Sequence, residues 1–274
     1  MRRRFQSAAI YAASLAILVI FLAPILWVLV ISFKLRRDIF TWPPTIFDFK
    51  PTLANYVAVL SESGKFVTYI TNSLIVAAIA TAIALTVGAL GAYGLSGRRR
   101  RKSVAWSYWM LSFRMMPPVA LVIPYYVLFQ QTGTLGHLGA IALTHSVFTV
   151  AIVLWMMKSF FDEVPPEIEE AAIVDGATDW QVFALIFVPV AKAALAASAI
   201  FAFITSWNEF LFAVILAKSS TYTVPVAIST FVGEVYVSWG ELAAATLLAI
   251  LPGLAVAFFG QRYLLIGLAP GAVK

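Results

Sequence analysis

The residues able to do chemistry are few, and they are concentrated. "EEAAIVDGATDWQVFALIFVP", from Glu169 to Pro189, holds the densest acidic run of a chain that is 62% hydrophobic and 12% charged. Two further polar sets sit inside apolar sequence. Arg114 precedes Met115-Met116-Pro117-Pro118, and Thr205-Ser206 precede Trp207, Asn208, Glu209 and Phe210. Histidine occurs twice and cysteine is absent. His137 reads as a solvated turn residue. His145 has no acidic or thiol neighbour at metal-ligand spacing, so no metal site is expected. No Ser/His/Asp or Cys/His set falls in plausible order, so no catalytic residue is assigned. A GxxxxGK[ST] phosphate loop is also missing, so no nucleotide or other cofactor is expected on this chain.

These residues are set in membrane-type sequence. A soluble domain is about 45–50% apolar and about 25% charged, and this chain lies far from both. A spanning helix needs about 20 mostly apolar residues. Six segments qualify: 8–33, 67–95, 104–129, 140–160, 190–217 and 242–263, which implies an all-α membrane protein with six transmembrane helices. The first run is too long for a signal-peptide core of roughly 7–15 residues and is expected to remain as a span. The formal charge of +6 does not indicate nucleic acid, because the basic residues flank the apolar segments. With the N-terminus inside, the inner pieces carry Arg2, Arg3, Arg4, Arg98 to Arg101, Lys102, Lys158, Lys192, Arg262 and Lys274. The outer pieces carry Lys34, Arg36, Arg37, Lys50, Lys65 and Lys218. That excess places both termini in the cytoplasm, although Lys34, Arg36 and Arg37 oppose it locally. The chain divides into 1–66, a first span and outside loop; 67–263, a five-helix core with an acidic cytoplasmic loop at about 160–189; and 264–274, a cytoplasmic tail.

The outside loops have their own character. "TWPPTIFDFKP" reads as a packed loop at the membrane surface, and "LANYVAVL" as a short helix. Segment 218–240 is too polar to span and too apolar to lie free, so an interfacial or re-entrant piece is expected. Gly88, Gly91 and Gly94 form a small-residue stripe suited to close helix packing.

The acidic loop predicts two short helices around a corner. Pro165-Pro166 start the first, since a first-turn proline loses no hydrogen bond. Glu167, Glu169 and Glu170 favour its dipole. Gly176 ends it. Thr178 with Gln181 forms a capping box for the second helix, "DWQVFALIFV", and Pro189 bends or restarts the chain at the fifth segment. Ile168, Ala172 and Val164 are expected to make a small apolar patch with acids around it, and the alanines leave room for an approaching surface.

That loop resembles a known family. Glu170-Ala171-Ala172, three residues, Gly176, nine residues, then Ile186-Phe187-Val188-Pro189 is similar to the EAA motif of ABC importer permeases, with valine where leucine is usual. "NSLIVA" at 72–77, "SWNEF" at 206–210 and the tail "QRYLLIGLAPGAVK" resemble the second, six-span permease of maltose-type carbohydrate importers. The resemblance implies a type I importer permease fold. It also implies a second permease subunit, two ATPase subunits that use ATP and Mg, a solute-binding protein outside, and a sugar-like substrate in a lipid membrane. Ile168, Glu170, Ala171, Ala172, Asp175 and Gly176 would dock the ATPase. Pro270, Gly271 and Lys274 would make a second contact with it.

For the polar residues within the spans, two readings stand. A charge inside a span costs roughly 2.5–3.5 kcal/mol and needs a partner or a water-filled cavity. Asn208 and Glu209 either face the pathway and meet sugar hydroxyls, with Trp207 stacked on a ring, or bind helices together. Arg114 snorkels, pairs with Glu209 or attracts an anionic substrate. At 1.5 Å per residue Arg114 lies ~18 Å from Lys102 and Glu209 ~30 Å from Pro189, so pairing requires Pro117 to kink the third span. A polyol or anionic sugar derivative is the alternative substrate. A self-contained secondary transporter is a further alternative, and it would not need the EAA-like loop.

Overall fold

A computed structural model describes residues 2–46, 48–61, 65–96, 115–233 and 235–267, together with 106, 108, 109 and 112. The described chain is helical: α1 Arg2–Ser32, α2 Arg36–Ile39, α3 Ala54–Ser61, α4 Lys65–Gly94, α5 Pro118–Gln131, α6 Leu138–Phe161, α7 Pro166–Val174, α8 Asp179–Val190, α9 Lys192–Trp207, α10 Leu211–Leu216, α11 Val224–Ser229 and α12 Trp239–Gly267. Among the described residues the only extended pairing is an isolated antiparallel bridge between Val232 and Val237.

Among the described residues four helices are long and apolar enough to cross a membrane, Ile10–Ser32, Lys65–Gly94, Leu138–Phe161 and Trp239–Tyr263, and the bent pair Asp179–Val190 with Lys192–Trp207 makes a fifth if it is taken as one span. The four coincide with the first, second, fourth and sixth expected segments. The third and fifth differ from expectation because neither is one continuous helix. Pro117 is extended (φ −58°, ψ 122°) and α5 begins only at Pro118, so the third segment is interrupted at Met115–Pro117. The ring of a proline blocks the preceding residue from helical backbone, and two prolines in sequence apply that restriction twice. The fifth segment starts at Lys192, stops at Trp207 and resumes at Leu211.

The chain forms two compact units, 1–67 with 227–251, and 68–226 with 252–274. In the first, α1 is exposed from Ile10 to Trp27, as suits a helix made for lipid or a partner. The loop after it is ordered by buried polar contacts. Lys34 is buried, donates to the Thr45 carbonyl and lies 5.0 Å from the Phe49 ring centroid and 5.8 Å from that of Trp27. One of the three basic residues that locally oppose the charge bias is therefore enclosed within the loop. Asn55 donates to the Ser32 and Lys34 carbonyls and so ties α3 to the end of α1. Gly240 leaves room for Asn55, because a Cβ there would lie 2.5 Å from the amide oxygen. The expected short helix is α3.

The second unit has two apolar clusters. One gathers Tyr93, Val153, Leu154, Phe161, Val182, Phe183 and Phe187. The other gathers Val76, Phe129, Ile141, Phe212 and Leu216. The glycine stripe of α4 does part of the expected work: a Cβ on Gly88 or Gly91 would come within 2.8 Å or 2.9 Å of α6 side chains, whereas Gly94 faces open space. Close approach removes the glycine's conformational liability by gaining dispersion contact along two backbones. Segment 218–240 contains α11 and the bridge between Val232 and Val237. Its beginning is held from α4, where Asn72 donates to the Ser220 and Tyr222 carbonyls and Ser73 accepts from the Val224 N–H.

Candidate functional site

The acidic corner is built from local signals. Pro165 flanks and Pro166 opens α7, with Glu167 and Glu169 in its first turn. At the other end Gly176 has φ +88°, its N–H donates to Ile173 O at 3.0 Å, and the Ala177 N–H donates to Ala172 O at 2.9 Å. This paired arrangement satisfies two end carbonyls, and its left-handed residue is best supplied by glycine. Both halves of the capping box are present: Gln181 N donates to Thr178 Oγ1 at 3.3 Å, and Thr178 N donates to Gln181 Oε1 at 2.8 Å.

The faces of α7 are partly as expected. Ile168, Glu170, Ala171, Asp175 and Gly176 are exposed, as are Glu167 and Val174. Val164 departs from the expected surface patch: it is buried in the Phe161–Phe183 cluster, and Ala172 packs partly against the same cluster. Glu169 does not join the acid ring either, being 1% exposed. The outward face is therefore narrower, with Ile168, Ala171 and Asp175 in one row and Glu167, Glu170 and Val174 in the next.

The corner rests on an aromatic support. Tyr93 of α4 lies 5.3 Å from Phe183 and 5.0 Å from Phe187, and Phe161 of α6 lies 5.2 Å from Phe187. The Tyr93 hydroxyl donates to Asp179 O at 3.2 Å. Offset and edge-on ring pairs of this kind favour one geometry over others. Phe183–Phe187 adopts a π turn just before Pro189. Such a turn accommodates an irregular hydrogen-bond ladder where the proline supplies no N–H. The α8 axis then meets α9 at 80°. Pro189 thus lies one turn from a sharp bend, as its sequence position predicts.

The second polar site is the break between α9 and α10. The Glu209 carboxylate accepts from Phe212 N at 3.0 Å and Ala213 N at 3.2 Å, so it covers the first amides of α10. Its other partner is His145 of α6, whose Nε2 lies 2.9 Å from Glu209 Oε2. His145 Nδ1 lies 2.8 Å from Ser206 Oγ. His145 and Ser206 are both buried. Trp207 is 6% exposed and stacks on Phe203 at 5.8 Å. Asn208 is exposed and donates through Nδ2 to Ile204 O at 2.8 Å; Thr205, also exposed, donates to Phe201 O at 2.7 Å.

Sequence reasoning missed His145. Its partner Ser206 is 61 residues away, and only the packing of α6 against α9 brings them together. Among the described residues no group of three potential metal ligands forms, and His145 with Glu209 is a pair. Glu209 finds its partner in His145; Arg114, the other candidate partner, lies outside the described residues, as do Pro270, Gly271 and Lys274.

Comparison with known proteins places this geometry in context. The profile of the family described as "Binding-protein-dependent transport system inner membrane component" matches residues 84–265. The chain is similar to "Probable ABC transporter permease protein y4oR" of Sinorhizobium fredii, with 36% identity over 93% of this chain and 91% of that one. It is 31% identical to the trehalose/maltose transport system permease protein MalG of Thermococcus litoralis, covering 93% of this chain and 92% of that one. A bacterial ABC transporter involved in importing the acidic polysaccharide alginate contains a chain of similar fold. There the TM-score is 0.77 and the identity 22%, over 96% of this chain and 98% of that one.

Proposed function

Because the chain belongs to the family of binding-protein-dependent transport system inner membrane components, we propose that it is the permease subunit of an ATP-driven importer for a sugar or sugar derivative. Its partners in this reading are a second permease, two ATPase subunits that use ATP and Mg, and a solute-binding protein. The likeness to a trehalose/maltose permease supports the sugar class. The observation that carries the coupling role is the acidic corner: the EAA spacing falls on a short helix whose outward face combines Ile168, Ala171 and acids. Behind that face, Gly176 and the Tyr93–Phe161–Phe183–Phe187 rings hold the helix. A partner pulling on α7 would meet a rigid lever rather than a loose loop.

In the same reading Thr205, Asn208 and Glu209 belong to the substrate pathway, with Arg114 as a further member. Exposed polar side chains within a span are costly against lipid and suit a wetted cavity. The tail through Pro270, Gly271 and Lys274 makes a second contact with the ATPases.

Two measurements on the reconstituted transporter test this. Glu170→Gln retains shape and removes charge, so ATPase subunits should dissociate more readily as salt rises. Unchanged association across a salt series removes the electrostatic part of the docking. Deleting 269–274 leaves the corner intact, and undiminished uptake after that deletion removes the tail contact.

A further inference from the structure

The break in the fifth segment has a buried polar support that the coupling mechanism does not use. α9 ends at Trp207 and α10 starts at Leu211. Glu209, between them, accepts from the Phe212 and Ala213 amides. A carboxylate so engaged still has a negative charge and lone pairs to satisfy in a partly buried place. His145 meets that requirement, with Nε2 at 2.9 Å from Glu209 and Nδ1 at 2.8 Å from Ser206. The chemistry is self-consistent. Nε2 lies against the Glu209 carboxylate as a close ion-pair contact. Nδ1 is hydrogen-bonded to the Ser206 hydroxyl, which serves as donor or acceptor by rotating. One imidazole therefore ties α6 to both sides of the break: to Ser206 in the last turn of α9 and to Glu209 ahead of α10.

We propose that His145 is a positioning residue for this break. It fixes where α9 stops and α10 starts, and so fixes where the exposed Thr205 and Asn208 stand. The consequence for transport rests on the pathway reading given above; the positioning does not. The distinctive contribution of His145 is a hydrogen bond to Ser206 and an ion-pair contact with Glu209, one on each side of a gap in the backbone ladder.

The test separates a polar bridge from plain packing. In the assembled transporter in nanodiscs, hydrogen exchange is followed in peptides covering residues 208–216. His145→Phe keeps an aromatic ring of similar size and removes both polar contacts. His145→Gln loses ring volume and keeps a donor for Glu209. We expect ~10-fold faster exchange at Phe212 and Ala213 in the phenylalanine variant, with most of the protection restored in the glutamine variant, since charge-assisted hydrogen bonds are the stronger ones. Adding Glu209→Gln to His145→Phe should then change little further, because the two act as one unit. Exchange that is faster in the glutamine variant than in the phenylalanine variant, or additive effects of the two changes, overturns the proposal and leaves His145 a packing residue. A cysteine at Asn208, in this cysteine-free chain, reports the pathway separately. Labelling by a water-soluble thiol reagent that varies with nucleotide state, and shifts in the His145→Phe background, supports both readings. Complete inertness of that cysteine in every state removes the pathway reading and leaves the exchange result to decide the positioning.

Discussion

The chain interrupts its helices sharply at Asp175–Thr178 and again at Asn208–Phe210, and the two interruptions are held by opposite means. At the corner, the turn itself is closed by local contacts, with Tyr93 and Phe161 supporting it from behind. Gly176 supplies the left-handed residue, Ala172 and Ile173 accept the closing hydrogen bonds, and Thr178 and Gln181 cap the next helix. At the break the local chain offers Asn208 on the end of α9 and Glu209 over the start of α10, and a further contact arrives from His145 on another helix. A corner of the first kind presents its outer face freely to a partner. A break of the second kind is anchored inside the helix bundle and leaves only Thr205, Asn208 and Phe210 exposed.

The difference predicts which changes spread through the molecule. The largest effect is expected for Glu209→Ala. It uncovers the Phe212 and Ala213 amides and leaves buried His145 without its carboxylate, a loss of about 3 kcal/mol. Thermal unfolding of the purified complex should shift downwards by several degrees. An unchanged midpoint would mean that the break is not held through Glu209.

Next is Gly176→Val. Nothing lies within 4 Å of a Cβ at this position, so the cost is backbone conformation alone, about 1–2 kcal/mol for a side chain forced to φ +88°. Uptake should fall while insertion persists. Gly176→Asn should retain most uptake, since asparagine tolerates left-handed backbone. Equal loss in both variants would show that bulk at the docking surface, not backbone geometry, is what matters there.

Thr178→Ala is expected to have the smallest effect. It removes one half of an exposed capping box, worth about 1 kcal/mol. The loss should stay local, appearing as faster proteolysis or exchange around Asp179–Gln181 without a change in the unfolding midpoint. A global shift as large as that of Glu209→Ala would erase the distinction between the two interruptions.

The same contrast separates what was legible from what was not. Pro165-Pro166, Gly176 and the Thr178–Gln181 spacing announce the corner because caps and left-handed turns depend on residues within one helical turn of each other. Four long apolar runs likewise declare their helices through length and hydropathy. The continuous third and fifth helices expected from those same rules are not continuous, because average hydropathy does not register a helix stop. The burial of Glu169 and Val164 was equally hidden. Val164 precedes α7 and joins the Phe161–Phe183 cluster, Glu169 is buried within α7, and a helix only nine residues long gives weak notice of which face turns inwards.

By itself, the sequence determined the membrane class, the family, the corner and its conformation, since each depends on composition or on short, fixed spacings. Only the tertiary structure decided that Lys34 is enclosed by Phe49 and Thr45, that Asn72 and Ser73 hold the segment 220–224, and that His145 serves Glu209. The last two of these join residues far apart along the chain, and the first depends on a loop folding back over its own lysine. Their free energy comes from satisfying polar groups withdrawn from water, and which groups meet there depends on how helices pack rather than on any local preference.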